Sequence, residues 1–191
     1  MTTTLAQPLN EIATKWQIDP AHTNVEFAVR HLMISTVKGR FGDVAGALTL
    51  DSNDPAAASV EVTIRTATID TRQEQRDAHL RSPDFFDAGK YPVITFRSTR
   101  SEGDTDSEFR VYGDLTIRDV TREIVLNVSR EGQGGDPWGG QRVAFSATGK
   151  IERKEFGLTW NQALEAGGVV VGDEIKISVD AEFTAVPDAT A

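Results

Sequence analysis

An all-β chain, folded as a closed antiparallel barrel or a sandwich, is predicted by three features of the sequence. Eight stretches alternate apolar and polar residues with a period of two. Clusters of Gly, Pro, Asp, Asn and Ser punctuate most of the gaps between them. Only one gap carries the signals of a helix. Successive side chains on a strand point to opposite faces, so each stretch has one dry face and one wet face. Strands with so few helices to cover them must bury their dry faces against one another, as barrels and sandwiches do. A barrel interior is also a place to hold an apolar guest.

Met1 to Lys15 lack a basic start, an apolar run of signal-peptide length and a small-residue cleavage site. They read as a mobile leader with a helical turn around Leu9, Ile12 and Ala13. Trp16, Gln17 and Ile18 form a short approach. Strands are then predicted at 23–31, 37–50, 58–70, 93–101, 108–118, 122–131, 141–152 and 174–186. In the first, Thr23, Val25, Phe27, Val29 and His31 share one face. The same beat returns at Val60, Val62 and Ile64, at Val111, Gly113, Leu115 and Ile117, at Val143 to Ile151, and at Ile175 to Phe183. Asp51–Pro55, Ser101–Asp104 and Asp119–Thr121 are turns, and Gly132–Gly140 reads as a longer, flexible hairpin tip. Gly39, Gly46, Gly113 and Gly149 interrupt strands, where glycine often marks a bulge or a sharp bend. A domain spanning 16–186 results, with a tail at 187–191.

The helical exception lies between the third and fourth strands. Thr71-Arg72-Gln73-Glu74 has the spacing of a capping box, and a helix of about ten residues is predicted through Ala78 and Leu80 until Pro83 stops it. Ser82–Asp87 reads as a second short turn with Ser82 as cap. This insert carries Leu80, Phe85 and Phe86 and could plug or cover one end of a barrel. The two phenylalanines either seal the insert against the barrel or border a cavity mouth.

Composition narrows the partners. The 191 residues suit one domain with a substantial core. Twenty basic against 29 acidic residues give a net charge of -9, which argues against a phosphate backbone or an anionic lipid surface as a partner. Aromatic content of 7% gives no support to base stacking. Without cysteine there is no disulfide, thiolate metal site or cysteine nucleophile. No run approaches the roughly 20 apolar residues of a membrane span, and the chain is expected to be soluble and cytoplasmic.

Nothing in the residues specifies a reaction. His22 and His31 lie too far apart along one extended stretch to share a metal, and His79 has no partner at ligand spacing. No metal or other cofactor is expected. The glycine-rich 132–140 stretch lacks the Lys-Ser/Thr ending and following helix of a phosphate cradle. No serine sits in a nucleophile elbow. His31 shares the inward parity of its neighbours, so it either makes a structural hydrogen bond to a neighbouring loop or meets the polar head of a guest.

A resemblance enters through several ordered motifs. Trp16-x-Ile18-Asp19-x-x-His22-Thr23-x-Val25-x-Phe27-x-Val29-x-His31, then Gly39-x-Phe41, is similar to the opening of the YceI-like family. So are Arg76-Asp77-x-His79-Leu80-x-Ser82-x-Asp84-Phe85-Phe86-Asp87 with Tyr91-Pro92-x-Ile94-x-Phe96, and later Gly113-x-Leu115-Thr116-Ile117-x-x-Val120-Thr121 and Ile151-x-Arg153-x-x-Phe156-Gly157. The match runs over about residues 16 to 186. Asp119 stands where relatives usually place glycine; Asp tolerates a left-handed backbone, so the turn is expected to survive.

The resemblance implies an extended, eight-stranded, lipocalin-like antiparallel barrel that binds a long isoprenoid chain, with homodimers among known members. An eight-stranded barrel can hold one elongated ligand. For about 30 carbons at about 0.3 kcal/mol per atom, burial alone gives roughly 9 kcal/mol, a sub-micromolar affinity. The leading expectation is therefore non-enzymatic binding, storage or transport of a polyprenyl chain or isoprenoid quinone. Inward residues expected to touch it are Val25, Phe27, Val29, Phe41, Leu48, Val62, Ile64, Phe96, Leu115, Ile117, Phe145 and Ile177. Leu80, Phe85, Phe86 and Phe156 are expected near the ends, and the inward-facing His31 is counted among the lipid-binding residues. Two rivals stand beside this reading: an isomerase or cyclase acting on a lipid in the barrel, for which His31 is the chief inward polar residue, and a stress-related interaction module filled by its own side chains.

Overall fold

The computed structural model describes residues 15–50, 58–105, 107–165 and 167–187. Residues 1–14 of the expected leader, the Asp51–Pro55 turn and most of the tail lie outside them. The described strands are β1 (Lys15–Ile18), β2 (Asn24–His31), β3 (Ser35–Phe41), β4 (Val44–Thr49), β5 (Ser59–Arg65), β6 (Ile69–Asp70), β7 (Val93–Gly103), β8 (Glu108–Ile117), β9 (Val120–Gly135), β10 (Gln141–Glu152) and β11 (Val171–Ala185). A single α-helix among the described residues, α1 (Glu74–Arg81), follows β6.

These strands form eight ribbons. β1 and β2 are one ribbon interrupted by a 3-10 turn at Pro20–His22, because both pair with the same edge of β11: Trp16 opposes Ala185 and Val25 opposes Val179. β3 and β4 are one ribbon bent at Gly42-Asp43, with Phe41 opposite Val25 and Leu48 opposite Trp16. β5 and β6 flank a 3-10 turn at Thr66–Thr68, β5 pairing with β4 and β6 with β3. From β5 the ladder runs antiparallel through β7, β8, β9, β10 and β11, and β11 returns to β1 and β2. The ring is closed, so it has no unpaired edge. The eight-stranded antiparallel barrel implied by the resemblance is the fold, which decides between the barrel and the sandwich that the alternation left open.

The three interruptions sit side by side. The Gly42 N–H donates to Thr68 O at 3.3 Å, and the Arg65 N–H donates to Asp43 O at 2.9 Å. Three adjacent ribbons thus turn together, which a barrel wall needs where it bends sharply. The expected strand 37–50 is therefore two strands with a kink. The approach at Trp16–Ile18 is a true strand: Trp16 and Ile18 are buried while Lys15 and Gln17 are exposed. The glycine-rich run after Arg130 is also strand, since β9 continues to Gly135 and the turn is confined to Asp136–Gly140.

Two further expectations change. The cap of α1 is Gln73, whose side chain accepts the Arg76 N–H at 2.5 Å, and not Thr71. The Thr71 hydroxyl and N–H instead both donate to Asp77 Oδ1. At the β8–β9 hairpin the left-handed residue is Arg118 (φ 59°), so Asp119 is not the residue under that constraint. Asp119 accepts a hydrogen bond from the Tyr91 hydroxyl at 3.2 Å.

Gly39 and Gly113 are seats for aromatic rings rather than bulges. A Cβ at Gly39 would stand 2.4 Å from the Phe27 ring, its cross-strand partner. One at Gly113 would stand 2.4 Å from the Phe96 ring. The register shift near Gly113 falls in the opposite strand, between Ser98 and Arg100. Pairing an aromatic with glycine across strands lets the ring lie over the missing side chain.

Candidate ligand-binding cavity

The core is not one mass. Trp16, Ile18, Val25, Val44, Leu48, Val143 and Phe183 form one buried cluster, and Ile94, Phe96, Leu115, Ile117, Ile124, Phe156 and Leu158 form another. Along the waist, Phe27, Val29, Ile64, Val111, Leu126, Phe145, Ile177 and Val179 face inward yet remain only half-buried. In a solidly packed interior such side chains would be covered. Here they border a cavity of about 530 Å³, within the range typical of small-molecule sites.

One end of this cavity is sealed. Leu80, Phe85 and Phe86 reach in from the insert. Phe86 meets Phe41 edge-on at 5.9 Å, and Phe41 lies 5.8 Å from Phe27, so an aromatic series links the seal to the wall. Phe85 meets His79 edge-on at 5.1 Å and Trp160 at a tilt at 5.3 Å. The insert is clamped to the barrel by its charged residues. Arg76 donates to Thr71 Oγ1 and Thr71 O, both at 2.7 Å, and Arg81 donates to Ala67 O at 2.8 Å and Ile69 O at 2.9 Å. His79 Nε2 meets Asp84 Oδ2 at 2.9 Å. The Arg76–Asp87 motif is therefore a structural fastening that presents its apolar residues to the cavity.

Arg153 closes the same end. Its side chain is buried and donates to Gly172 O (2.9 Å), Leu158 O (2.5 Å), Trp160 O (2.9 Å), Val171 O (3.5 Å) and Asp173 Oδ1 (3.0 Å). Burial pushes its pKa down while Asp173 pulls it back up. The guanidinium thus satisfies carbonyls that the β10–β11 connection would otherwise bury unpaired.

The opposite end is polar. Ser98, Ser101, Thr105, Arg130 and Gln133 border the cavity there. Gln133 and Ser59 on its rim are exposed, so the cavity reaches solvent at this end. Arg130 stands opposite Phe145 and Gln133 opposite Val143, and Arg130 donates to Gln133 Oε1 at 2.5 Å. The Ser98 hydroxyl accepts the Val60 N–H at 2.9 Å.

Of the residues expected at the site, Val25, Phe27, Val29, Phe41, Leu48, Val62, Ile64, Leu80, Phe85, Phe86, Phe96, Leu115, Ile117, Phe145 and Ile177 border this cavity. His31 and Phe156 do not. His31 ends β2 between Val171 and Ser35, beyond the cavity, and Phe156 is buried in the second core cluster. Val60, Phe109, Val111, Ile124, Leu126, Val128, Ile175 and Val179 border it too. Their own period-two alternation carries the signal that places them there. Arg130 keeps the parity of Ile124, Leu126 and Val128 and is missed only because it is charged, whereas Gln133 escapes the signal because the ladder shifts register between Ala144 and Phe145 and parity changes within β9.

A charged cluster outside the barrel contains another histidine. Asp19, His22 and Glu182 bring ligand-type atoms within 4.8 Å of one another, an approach that strand spacing alone does not predict. Arg142 already occupies the position of a cation among them: it meets Asp19 Oδ2 at 2.8 Å, Asp136 Oδ2 at 3.1 Å and Glu182 Oε1. Arg142 and then His22 hold the Asp19 carboxyl down at about 2. Asp19 Oδ1 also accepts the Ala21 N–H at 3.0 Å, so the cluster caps the turn between β1 and β2.

Comparison with known proteins gives consistent neighbours. A model of the YceI-like domain matches residues 16–183. Protein YceI of Escherichia coli O157:H7 is 44% identical over 149 residues, covering 77% of this chain and 78% of its own. The crystal structure of the Campylobacter jejuni YCEI protein has a TM-score of 0.71 at 32% identity, covering 83% of this chain and 90% of its own. A polyisoprenoid binding domain from Saccharophagus degradans shares the fold, with a TM-score of 0.64 at 14% identity, covering 90% and 98%.

Proposed function

Because the chain belongs to the YceI-like family, we propose that its barrel binds a long-chain isoprenoid lipid, a polyprenyl chain or an isoprenoid quinone, and stores or carries it without chemical change. The observation that carries this reading is the apolar cavity of about 530 Å³ bordered by half-buried wall residues. A structural neighbour described as polyisoprenoid binding supports the same ligand class. The tail runs towards Leu80, Phe85 and Phe86, and the head group lies at the Arg130 and Gln133 end. Burying apolar surface at about 25 cal/mol per Å² needs no catalytic group to retain such a molecule. Arg153 and Ser98, polar residues on the wall, are already engaged by backbone partners.

The same reading takes the carrier to be cytoplasmic and allows a homodimer; cell fractionation and sedimentation test these directly. Among the described residues no helix is long and apolar enough to cross a membrane.

Native mass spectrometry of the purified protein, with identification of any released lipid, tests the ligand. An isoprenoid adduct is expected. Phe27→Asp and Ile117→Asp variants that retain the barrel's circular-dichroism spectrum are expected to lose it. A folded variant with unchanged lipid content, or wild-type protein yielding nothing on organic extraction, overturns the assignment.

A further inference from the structure

The tip of the β2–β3 hairpin breaks the usual chemistry of tight turns. Leu32 and Met33 occupy the two central positions at φ 50° and 60°, with the Ile34 N–H returning to His31 O at 3.1 Å. Such a turn favours Asn-Gly, because a left-handed backbone crowds a branched or long side chain. Met33 and Ile34 are nonetheless 51% and 79% exposed, so much of their apolar bulk is left unpacked. A local rule broken without a folding benefit is where function is to be sought.

The surroundings identify the partner. From Phe27 to Gly42 there is no acidic residue, whereas Arg30 and Lys38 supply positive charge, Arg40 being paired with Asp70 at 3.3 Å, in a chain of net charge -9. Arg30 braces the tip itself, donating to Met33 O at 2.7 Å. An apolar point set on a basic hairpin matches the interface of an anionic bilayer, where side chains enter the acyl boundary and cations meet phosphate. Two side chains offer far less than the roughly 1,200 Å² that a specific protein interface buries, which argues against a second copy as occupant. The hairpin lies at the sealed end of the barrel, since the Leu32 N–H donates to Val170 O at 2.8 Å in the connection that Arg153 holds.

We propose that the Met33–Ile34 tip docks the protein reversibly onto an anionic phospholipid surface. This surface is independent of what fills the barrel, so the proposal stands or falls apart from the isoprenoid assignment. Flotation of the full chain with vesicles of phosphatidylcholine containing a minor share of phosphatidylglycerol tests it. Wild-type protein is expected to float, and Ile34→Asp to bind about tenfold less at an unchanged melting temperature. Met33→Gly is expected to weaken binding without lowering the melting temperature, because glycine accepts the left-handed backbone freely. Since the chain has no cysteine, an environment-sensitive fluorophore on Ile34→Cys is expected to shift to the blue on vesicles. Failure of wild-type protein to float overturns the proposal. So does loss of binding in Trp138→Ser but not Ile34→Asp, which would move the contact to the exposed tip of the β9–β10 hairpin. A dimer dissolved by Ile34→Asp would replace the bilayer with a second copy.

Discussion

At one end of the barrel, Leu80, Phe85 and Phe86 pack inward from an insert fastened by Arg76, Asp77 and Arg81. At the other, Ser101, Thr105, Arg130 and Gln133 border an exposed rim. Both ends use charged residues, but differently. At the seal the guanidinium groups of Arg76, Arg81 and Arg153 are engaged by backbone carbonyls, and that of Arg153 is buried, so the cavity they close stays apolar. At the rim, polar side chains face the cavity itself. The barrel is thus polarised along its axis, and an amphiphile bound inside has one preferred direction.

Breaking the seal is expected to have the largest effect. Arg153→Met strips donors from several buried carbonyls and leaves Asp173 with Lys154 as its remaining partner. Thermal or urea melting is expected to show a loss of about 3–5 kcal/mol. A loss below about 1 kcal/mol would mean that water replaces the guanidinium and that this end is not sealed.

The rim is expected to act on selectivity rather than on folding. Arg130→Met removes an inward cation, and competition between phosphate-headed and neutral prenyl ligands is expected to shift by about tenfold towards the neutral one. Equal weakening of both would place the head group elsewhere.

The smallest effect concerns the cluster outside the barrel. The folded Asp19 carboxyl is held at about 2, below its ordinary 3.8, by Arg142 and His22. A depressed pKa adds stability above the ordinary value and loses it as the carboxyl protonates. Melting temperature is therefore expected to fall as pH drops from about 4 towards about 2, and the fall is expected to be shallower in Arg142→Gln. An equal slope in the variant would assign the acid sensitivity to other carboxylates.

The wall was more legible in the sequence than its ends. Alternation assigns Val25, Phe27, Leu115, Ile117, Phe145 and Ile177 to one face whatever strand lies beside them, because the period of two is local. The kinks at His22, Gly42 and Thr66 depend on which ribbons become neighbours, and no local signal carries that. Thr71 has the spacing of a cap, yet Asp77 takes its hydroxyl, so a tertiary partner overrides a local rule. His31 obeys the parity of β2 but sits past the end of the cavity, which parity cannot measure. Gln133 fails for the converse reason, since a register shift reverses its face.

The two glycines beneath Phe27 and Phe96 bear on which molecules could be accommodated. Neither borders the lumen, yet each lets a ring recline against the wall. One added methyl at either position would tip that ring inward and narrow the bore. The calibre of the tube, and with it the girth of chain it admits, is set from behind by residues that never meet the contents.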